Sequence, residues 1–512
     1  MRRGPAVLAR WALAVLLAAA PARASCPTDP VVRGGEERAD LPAVLAAGFA
    51  SDEPDCRVEA FLLAGALADT AGPCGWRDGV EALAPRDPAG QALLAAFAWR
   101  CGWPELAAGA ARRAARADPS AELAWRVLGQ YLASRWRPEA ARAALRRALE
   151  LDPSDPTALW YAAEVAESRA ERLRKLETYL DAGARRGEPP PRIRAAADQI
   201  AFLHALGDRP VWRRVRSDLP AEIPLLPIPA GRGRVAGWLL RAAVGKRARL
   251  PLLLDSGASG LHLDARAARS AGMEELAPGT LVGGGGRRAH SVRRGLLSSL
   301  DLGPLRFEDA LGVAAAGDLH PRGLYRGLIG FDLFSGLVAA IDPRHGRLRL
   351  VRGENAERSP DPLAREPAVA GPSAVPLYRI EGQLLAPVTI AAGSFRKAVL
   401  AVVDTGAART ILSETAADGL PGLRRAEAGS VAAYGGVRRL AGRLARVRLA
   451  LGGTVVELED VPVLRVPERA RMTGVVTGGF IGLDALARRP FALDLARGLL
   501  LSSAGAAAGE GD

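Results

Sequence analysis

At 512 residues the chain is too long for one hydrophobic core, and its 49% hydrophobic content suits a globular protein of several domains. The formal net charge is +13, yet only Lys175, Lys246 and Lys397 are lysine, so arginine carries nearly all of the positive charge. The arginines are dispersed, without an aromatic-interleaved basic cluster. That pattern argues for a solvated surface and the coding bias of a GC-rich genome, and against nucleic acid as a partner.

The N-terminus has three parts: basic Met1-Arg2-Arg3, an apolar run from Trp11 to Ala20, and the small-residue end Pro21-Ala22-Arg23-Ala24. This predicts a secretory signal over 1–24, cleaved at its Ala-x-Ala site, and an exported protein, periplasmic or secreted. Cys26 raises lipoprotein anchoring as an alternative, but Arg23 stands where a lipobox carries an aliphatic residue. No later run of 18 apolar residues lacks charge, so no membrane span is expected. Residues 25–86 form a weakly patterned region holding Cys26, Cys56 and Cys74, with Cys101 a little further on. An even count in an exported chain predicts two disulfides, with three connectivities open and buried thiols as the alternative.

From 87 to 206 the sequence is Ala-, Leu- and Arg-rich with apolar residues at three- and four-residue steps, which predicts helices. Asp118-Pro119-Ser120 recurs as Asp152-Pro153-Ser154, 34 residues on, and Trp125, Leu128, Gly129, Tyr131, Ala140, Ala144, Leu145 and Ala148 fall at characteristic places within that period. The pattern resembles the tetratricopeptide repeat, which implies helix-turn-helix units and a concave surface for a protein partner; a spacer or pro-segment is the alternative. Residues 207–222 read as a linker.

From Ile223 the texture changes to short leucine and β-branched runs broken by glycine, the pattern of small twisted sheets. A long duplication follows. Over 223–352, Ile223-Pro224-Leu225 is followed by Leu252-Leu253-Leu254-Asp255-Ser256-Gly257, then Gly327-Leu328-Ile329-Gly330-Phe331-Asp332 and Ala340-Ile341-Asp342. Over 375–504, Val375-Pro376-Leu377 is followed by Ala401-Val402-Val403-Asp404-Thr405-Gly406, then Gly479-Phe480-Ile481-Gly482-Leu483-Asp484 and Ala492-Leu493-Asp494. Asp255 and Gly330 are 75 residues apart, Asp404 and Gly482 78. Residues 353–374 read as a linker and 505–512 as a disordered tail.

Each copy therefore delivers an Asp-(Ser/Thr)-Gly triplet at the end of an apolar strand. Such a strand holds a carboxylate rigidly, glycine permits a sharp turn beside it, and the hydroxyl can bond across to the other copy. Two carboxylates in contact cannot both ionise and share one proton. The copies resemble the two lobes of pepsin-like and retropepsin-like aspartic proteases, over about Ile223 to Ser503. The resemblance implies an all-β, two-lobed acid-protease fold after the helical repeats, in a multidomain chain. It implies Asp255 and Asp404 as the catalytic pair of an aspartic endopeptidase, supported by Ser256, Gly257, Thr405 and Gly406. It implies the Ile-Gly landmarks packing behind each triplet, a polypeptide substrate and no cofactor. It also implies a flap about 25 residues after each aspartate, for which Gly284 and Gly285, and Tyr434 and Gly435, are candidates. The second triplet continues Ala407-Ala408-Arg409 without the small hydroxyl residue that Ser259 supplies in the first. Asp342 and Asp494 read as structural.

Other chemistries fit poorly. The five histidines form no close metal-ligand set, no G-x-S-x-G elbow is present, and no cysteine lies in the β region. A non-catalytic envelope scaffold or peptide-binding protein, using the repeats, is the alternative function, and a dimer of chains the alternative assembly.

Overall fold

The computed structural model describes residues 51, 56, 58, 60, 62, 74, 86–231, 234–245, 248–281, 290–316, 319, 323–354, 360–364, 374–425, 429–433, 436–465 and 473–502. They belong to two compact units. One is Met1–Ile193 with Arg358–Glu366 and Arg469–Val476; the other is Arg194–Glu357, Pro367–Glu468 and Thr477–Asp512.

The first unit is helical: α1 (Pro88–Arg100), α2 (Pro104–Ala117), α3 (Glu122–Ser134), α4 (Pro138–Leu151), α5 (Pro156–Glu164), α6 (Arg169–Arg185) and the start of α7 (Pro190–Leu206). Proline opens α1, α2, α4 and α5, where its missing N–H would be unpaired in any case. The Asp-Pro-Ser recurrence has a local cause. Asp118 and Asp152 end α2 and α4, and each carboxylate accepts from the backbone N–H and hydroxyl of the serine two residues on. Gly129 in α3 lies so close to α4 that a Cβ there would stand 2.5 Å from Leu145 Cγ. Cys101, just past α1, is bonded to Cys74, and Cys56 is disulfide-bonded as well. Among the described residues no helix is long and apolar enough to cross a membrane.

The second unit is β-rich. Its first half runs β1 (Arg213–Ser217), β2 (Ala221–Pro224), β3 (Leu226–Pro229), β4 (Val235–Val244), β5 (Ala248–Leu254), β6 (Leu261–Asp264), α8 (Ala265–Ser270), β7 (Glu274–Leu281), β8 (His290–Asp301), β9 (Leu305–Ala315), β10 (Gly327–Ile329), β11 (Leu337–Asp342) and β12 (Arg347–Arg352). The second half runs β13 (Ala374–Pro376), β14 (Tyr378–Ile380), β15 (Gln383–Ala392), β16 (Phe395–Val403), β17 (Ile411–Ser413), α9 (Glu414–Ala417), β18 (Leu423–Arg425), β19 (Ser430–Ala433), β20 (Gly436–Leu451), β21 (Thr454–Leu464), β22 (Gly479–Ile481), α10 (Leu483–Leu486), β23 (Phe491–Asp494) and β24 (Leu499–Ser502).

Each half builds a nine-stranded sheet around the same centre. In the first lobe β10 lies between β5, parallel to it, and β6, antiparallel; in the second β22 lies likewise between β16 and β17. A six-stranded sheet, ordered β13-β24-β23-β11-β12-β2, joins the lobes, and its central pair sets Val338 opposite Asp494 and Ile341 opposite Phe491. Two of its landmarks end in turns. Asp342 accepts from the backbone N–H groups of Arg344 and His345, and Asp494, fully buried, from those of Ala496 and Arg497.

The stretch expected as a linker, 207–222, holds β1, paired with β9, and the first half of β2, paired with β12. The β-rich unit reaches back further still. Phe202 and Leu206 of α7 pack with Ala277 and Leu296, and the Asp198 carboxylate accepts from the Thr280 N–H at 2.7 Å.

Candidate active site

β5 is buried over Leu252, Leu253 and Leu254 and β16 over Leu400 to Val403, so each strand is fixed before it reaches its aspartate. The neighbouring strand then pins the aspartate's own backbone: Asp255 N–H donates to Ile329 O and Asp404 N–H to Ile481 O, both at 3.0 Å. The glycines after those isoleucines leave room for the triplet loops. A Cβ on Gly330 would stand 2.6 Å from the Ala258 carbonyl O, and one on Gly482 2.6 Å from that of Arg409.

The two triplets meet across the lobes. Thr405 Oγ1 accepts from Ser256 N–H at 3.0 Å and donates to Leu254 O at 2.9 Å. Reciprocally, Ser256 Oγ accepts from Thr405 N–H at 3.0 Å and donates to Val403 O at 2.7 Å. Both hydroxyl residues are completely buried. Each triplet glycine packs against the opposite carboxyl: a Cβ on Gly406 would lie 2.6 Å from Asp255 Cγ, and one on Gly257 2.9 Å from Asp404 Cγ. Each also donates its N–H to its own aspartate, at 2.8 Å in the first lobe and 2.9 Å in the second.

The Asp255 carboxyl is held well above the usual carboxylate range. Burial is the largest cause, and the charge of Asp404 and a hydrogen bond to its carboxyl add to it; the N–H groups of Gly257 and Ala258 oppose the shift. A pair of this kind holds a proton where separate carboxylates would both ionise, and its titration belongs to the pair. One member can then act as a base while the other still has a proton to give.

Gly284 and Gly285, between β7 and β8, and Tyr434 and Gly435, between β19 and β20, lie outside the described residues.

Several residues support the site in roles the sequence did not assign to them. Asp332 accepts from Gly260 N–H at 2.8 Å, and Asp484 from both the N–H and hydroxyl of Thr410 at 2.7 Å, so the last residue of each Ile-Gly landmark braces its triplet loop. Thr410, two residues past the Ala408 that stands at the place of Ser259, thus supplies a hydroxyl to the second loop. Its Oγ1 also accepts from Gly482 N–H at 3.1 Å. His262, buried and lowered by that burial, sets Nε2 2.9 Å from Ser259 O. Tyr325, half-buried just before β10, feels the Asp255 charge, and its phenol is pushed up to about 12, mainly by burial. From the second lobe, Gln383 Nε2 donates to Gly257 O at 2.7 Å. Among the described residues no three His, Cys, Asp or Glu side chains group to hold a metal.

Comparison with known proteins points the same way at a coarse level. The aspartyl protease family profile matches residues 240–333, the part of the first lobe that contains Asp255 and runs through the Ile-Gly landmark. No curated protein matches the chain. Among solved structures, a retropepsin-like aspartic protease from Rickettsia conorii is 22% identical, over 25% of this chain and 89% of its own, with a TM-score of 0.19.

Proposed function

We propose that this chain is an exported aspartic endopeptidase in which Asp255 and Asp404 form one catalytic pair within a single molecule. The observation that carries the reading is the reciprocal hydroxyl exchange between Ser256 and Thr405, with each carboxyl seated against the opposite lobe's glycine. The chemistry is hydrolysis by water. The ionised member of the pair takes a proton from water as its oxygen attacks the peptide carbonyl carbon, and the protonated member donates to the carbonyl oxygen. The resulting gem-diol collapses as the amine departs with a proton from the pair, and no covalent enzyme intermediate forms. Ser256 and Thr405 keep the carboxyls in contact, and Gly257 and Gly406 allow that contact sterically.

Export rests on the three-part N-terminus ending at Ala24 and agrees with the disulfide between Cys74 and Cys101. The helices over 87–206, which resemble tetratricopeptide repeats in period, would dock a protein partner or the substrate. The test is cleavage of casein from pH 3 to 8 by the wild-type protein and Asp255→Asn. Cleavage that the substitution abolishes is the expected result. Equal cleavage by both proteins would refute the pair.

A further inference from the structure

The two triplet loops are alike in sequence but are not held alike. The β14–β15 hairpin of the second lobe turns through Glu381 and Gly382, both at positive φ, directly against the first triplet loop. A Cβ on Gly382 would stand 2.8 Å from Ser259 Oγ, so this turn approaches as closely as a glycine permits. Gln383, the next residue, donates from Nε2 to the Gly257 carbonyl at 2.7 Å.

The first lobe has no counterpart to that side chain. Leu239 pairs with Leu253, two residues before Asp255, and Leu385 pairs with Val402, two before Asp404. Counting back from those anchors, the place of Gln383 falls to Gly237, and the two lie opposite Ile380 and Ile228 in their hairpins. A side chain at Gly237 would collide with Leu253, 2.7 Å from its Cδ1. The duplicated scaffold therefore carries a carboxamide on one side only.

The peptide unit that Gln383 grips is the one whose nitrogen belongs to Ala258. That N–H faces Asp255's own carbonyl at 3.4 Å, and its positive end favours the ionised form of the Asp255 carboxyl. The two ends are linked: the Gln383 amide donates to Gly257 C=O, and the Ala258 N–H of the same peptide acts on the Asp255 carboxyl. Hydrogen bonds arranged head to tail polarise one another, so a donor on the carbonyl strengthens the N–H as a donor at the other end. A stronger donor favours the ionised carboxylate over the acid.

We infer that Gln383 is a positioning residue which acts through the Gly257–Ala258 peptide to favour the ionised form of the Asp255 carboxyl, opposing the effect of its burial. The other groups facing Asp255 and its loop are Asp404 across the pair, Tyr325 ahead of β10, buried His262 behind Ser259, Asp332 with the Arg379 charge near it, and Glu381 in the turn. None of them changes when Gln383 is substituted.

This inference rests on the reading of Asp255 and Asp404 as one proton-sharing pair, and its test needs no turnover. The full-length protein, carrying carboxyl-¹³C aspartate, is titrated by NMR as wild type, Gln383→Leu and Gln383→Glu, with thermal unfolding to show that each variant folds. In Gln383→Leu the Asp255 carboxyl should titrate a few tenths of a pH unit higher, the size expected if a charge-assisted hydrogen bond weakens by about 10–30%. Gln383→Glu, near-isosteric and unable to donate once ionised, should move it further in the same direction. An Asp255 titration that stays in place in a folded variant overturns the inference. A shifted titration in a chain that cleaves no peptide keeps the role of Gln383 and removes the endopeptidase reading. Peptide cleavage with an unshifted titration does the reverse.

Discussion

Thr405→Val tests the lock between the lobes with almost no change in shape. The substitution replaces the hydroxyl by a methyl group at a completely buried position. Two backbone groups of the other lobe lose their partner: the Ser256 N–H, now 3.0 Å from Oγ1, and the Leu254 carbonyl, now 2.9 Å from it. Each buried polar group left unpaired costs about 1–3 kcal/mol, so the pair should cost about 2–6 kcal/mol. For a unit of this size that corresponds to a fall in melting temperature of roughly 3–10 °C. Thr405→Ser, which keeps the hydroxyl and loses one methyl, should cost only about 1 kcal/mol. Because Ser256 Oγ forms the mirror-image pair of bonds, adding Ser256→Ala should cost less than its own single effect, a coupling that a double-mutant cycle reads directly. Denaturant unfolding followed on the β unit is the assay. A loss below about 0.5 kcal/mol in Thr405→Val would show that the freed groups find other partners, and that the hydroxyl exchange is not what joins the lobes.

The raised Asp255 pKa carries a sign for stability. A carboxyl whose folded pKa lies above its unfolded value contributes stability that is present at low pH and is lost as pH rises through the folded pKa. Asp255→Asn should therefore melt higher than wild type at pH 7, the difference shrinking toward pH 4; a mutant that melts lower at pH 7 would contradict burial as the leading cause. Gly406→Ala places a Cβ 2.6 Å from Asp255 Cγ and must push the carboxyls apart. Misplacing a reacting group by a fraction of an ångström to an ångström should lower kcat/KM by about 100-fold or more, while circular dichroism stays that of the wild type.

The parts of this site that were legible in sequence are those where local sterics dictate residue identity. An aspartate at the end of a buried strand, a glycine that must clear the opposite carboxyl, and a glycine behind the loop admit few alternatives, so they recur in both copies. Asp118 and Asp152 were legible for the same reason, since the helix end and the following serine fix them within three residues. Arg379, Gln383 and Tyr325 were not legible. Arg379 and Gln383 act where a hairpin of one lobe meets a loop of the other, Tyr325 because the segment before β10 lies near Asp255, and no periodicity records either meeting. β1 passed for linker because its burial hardly alternates: Arg213, Arg214 and Val215 are all exposed along one sheet edge. The second half of α7 continued the helical pattern, so nothing in its sequence distinguished residues that pack on β7 and β8 from those of the helices before them.

The sheet that strands β11 and β23 make together also sets what each lobe is free to become. In a symmetric dimer any residue placed beside one carboxyl appears beside both, so a change that helps one side is imposed on the other. Here the halves share one covalent chain, and they meet without any dependence on protein concentration. Gly237 and Gln383 can then differ, as can Ser256 and Thr405, or Gly260 and Thr410. The duplicated frame supplies matched geometry, and its fusion lets drift and selection act on each carboxyl's surroundings separately.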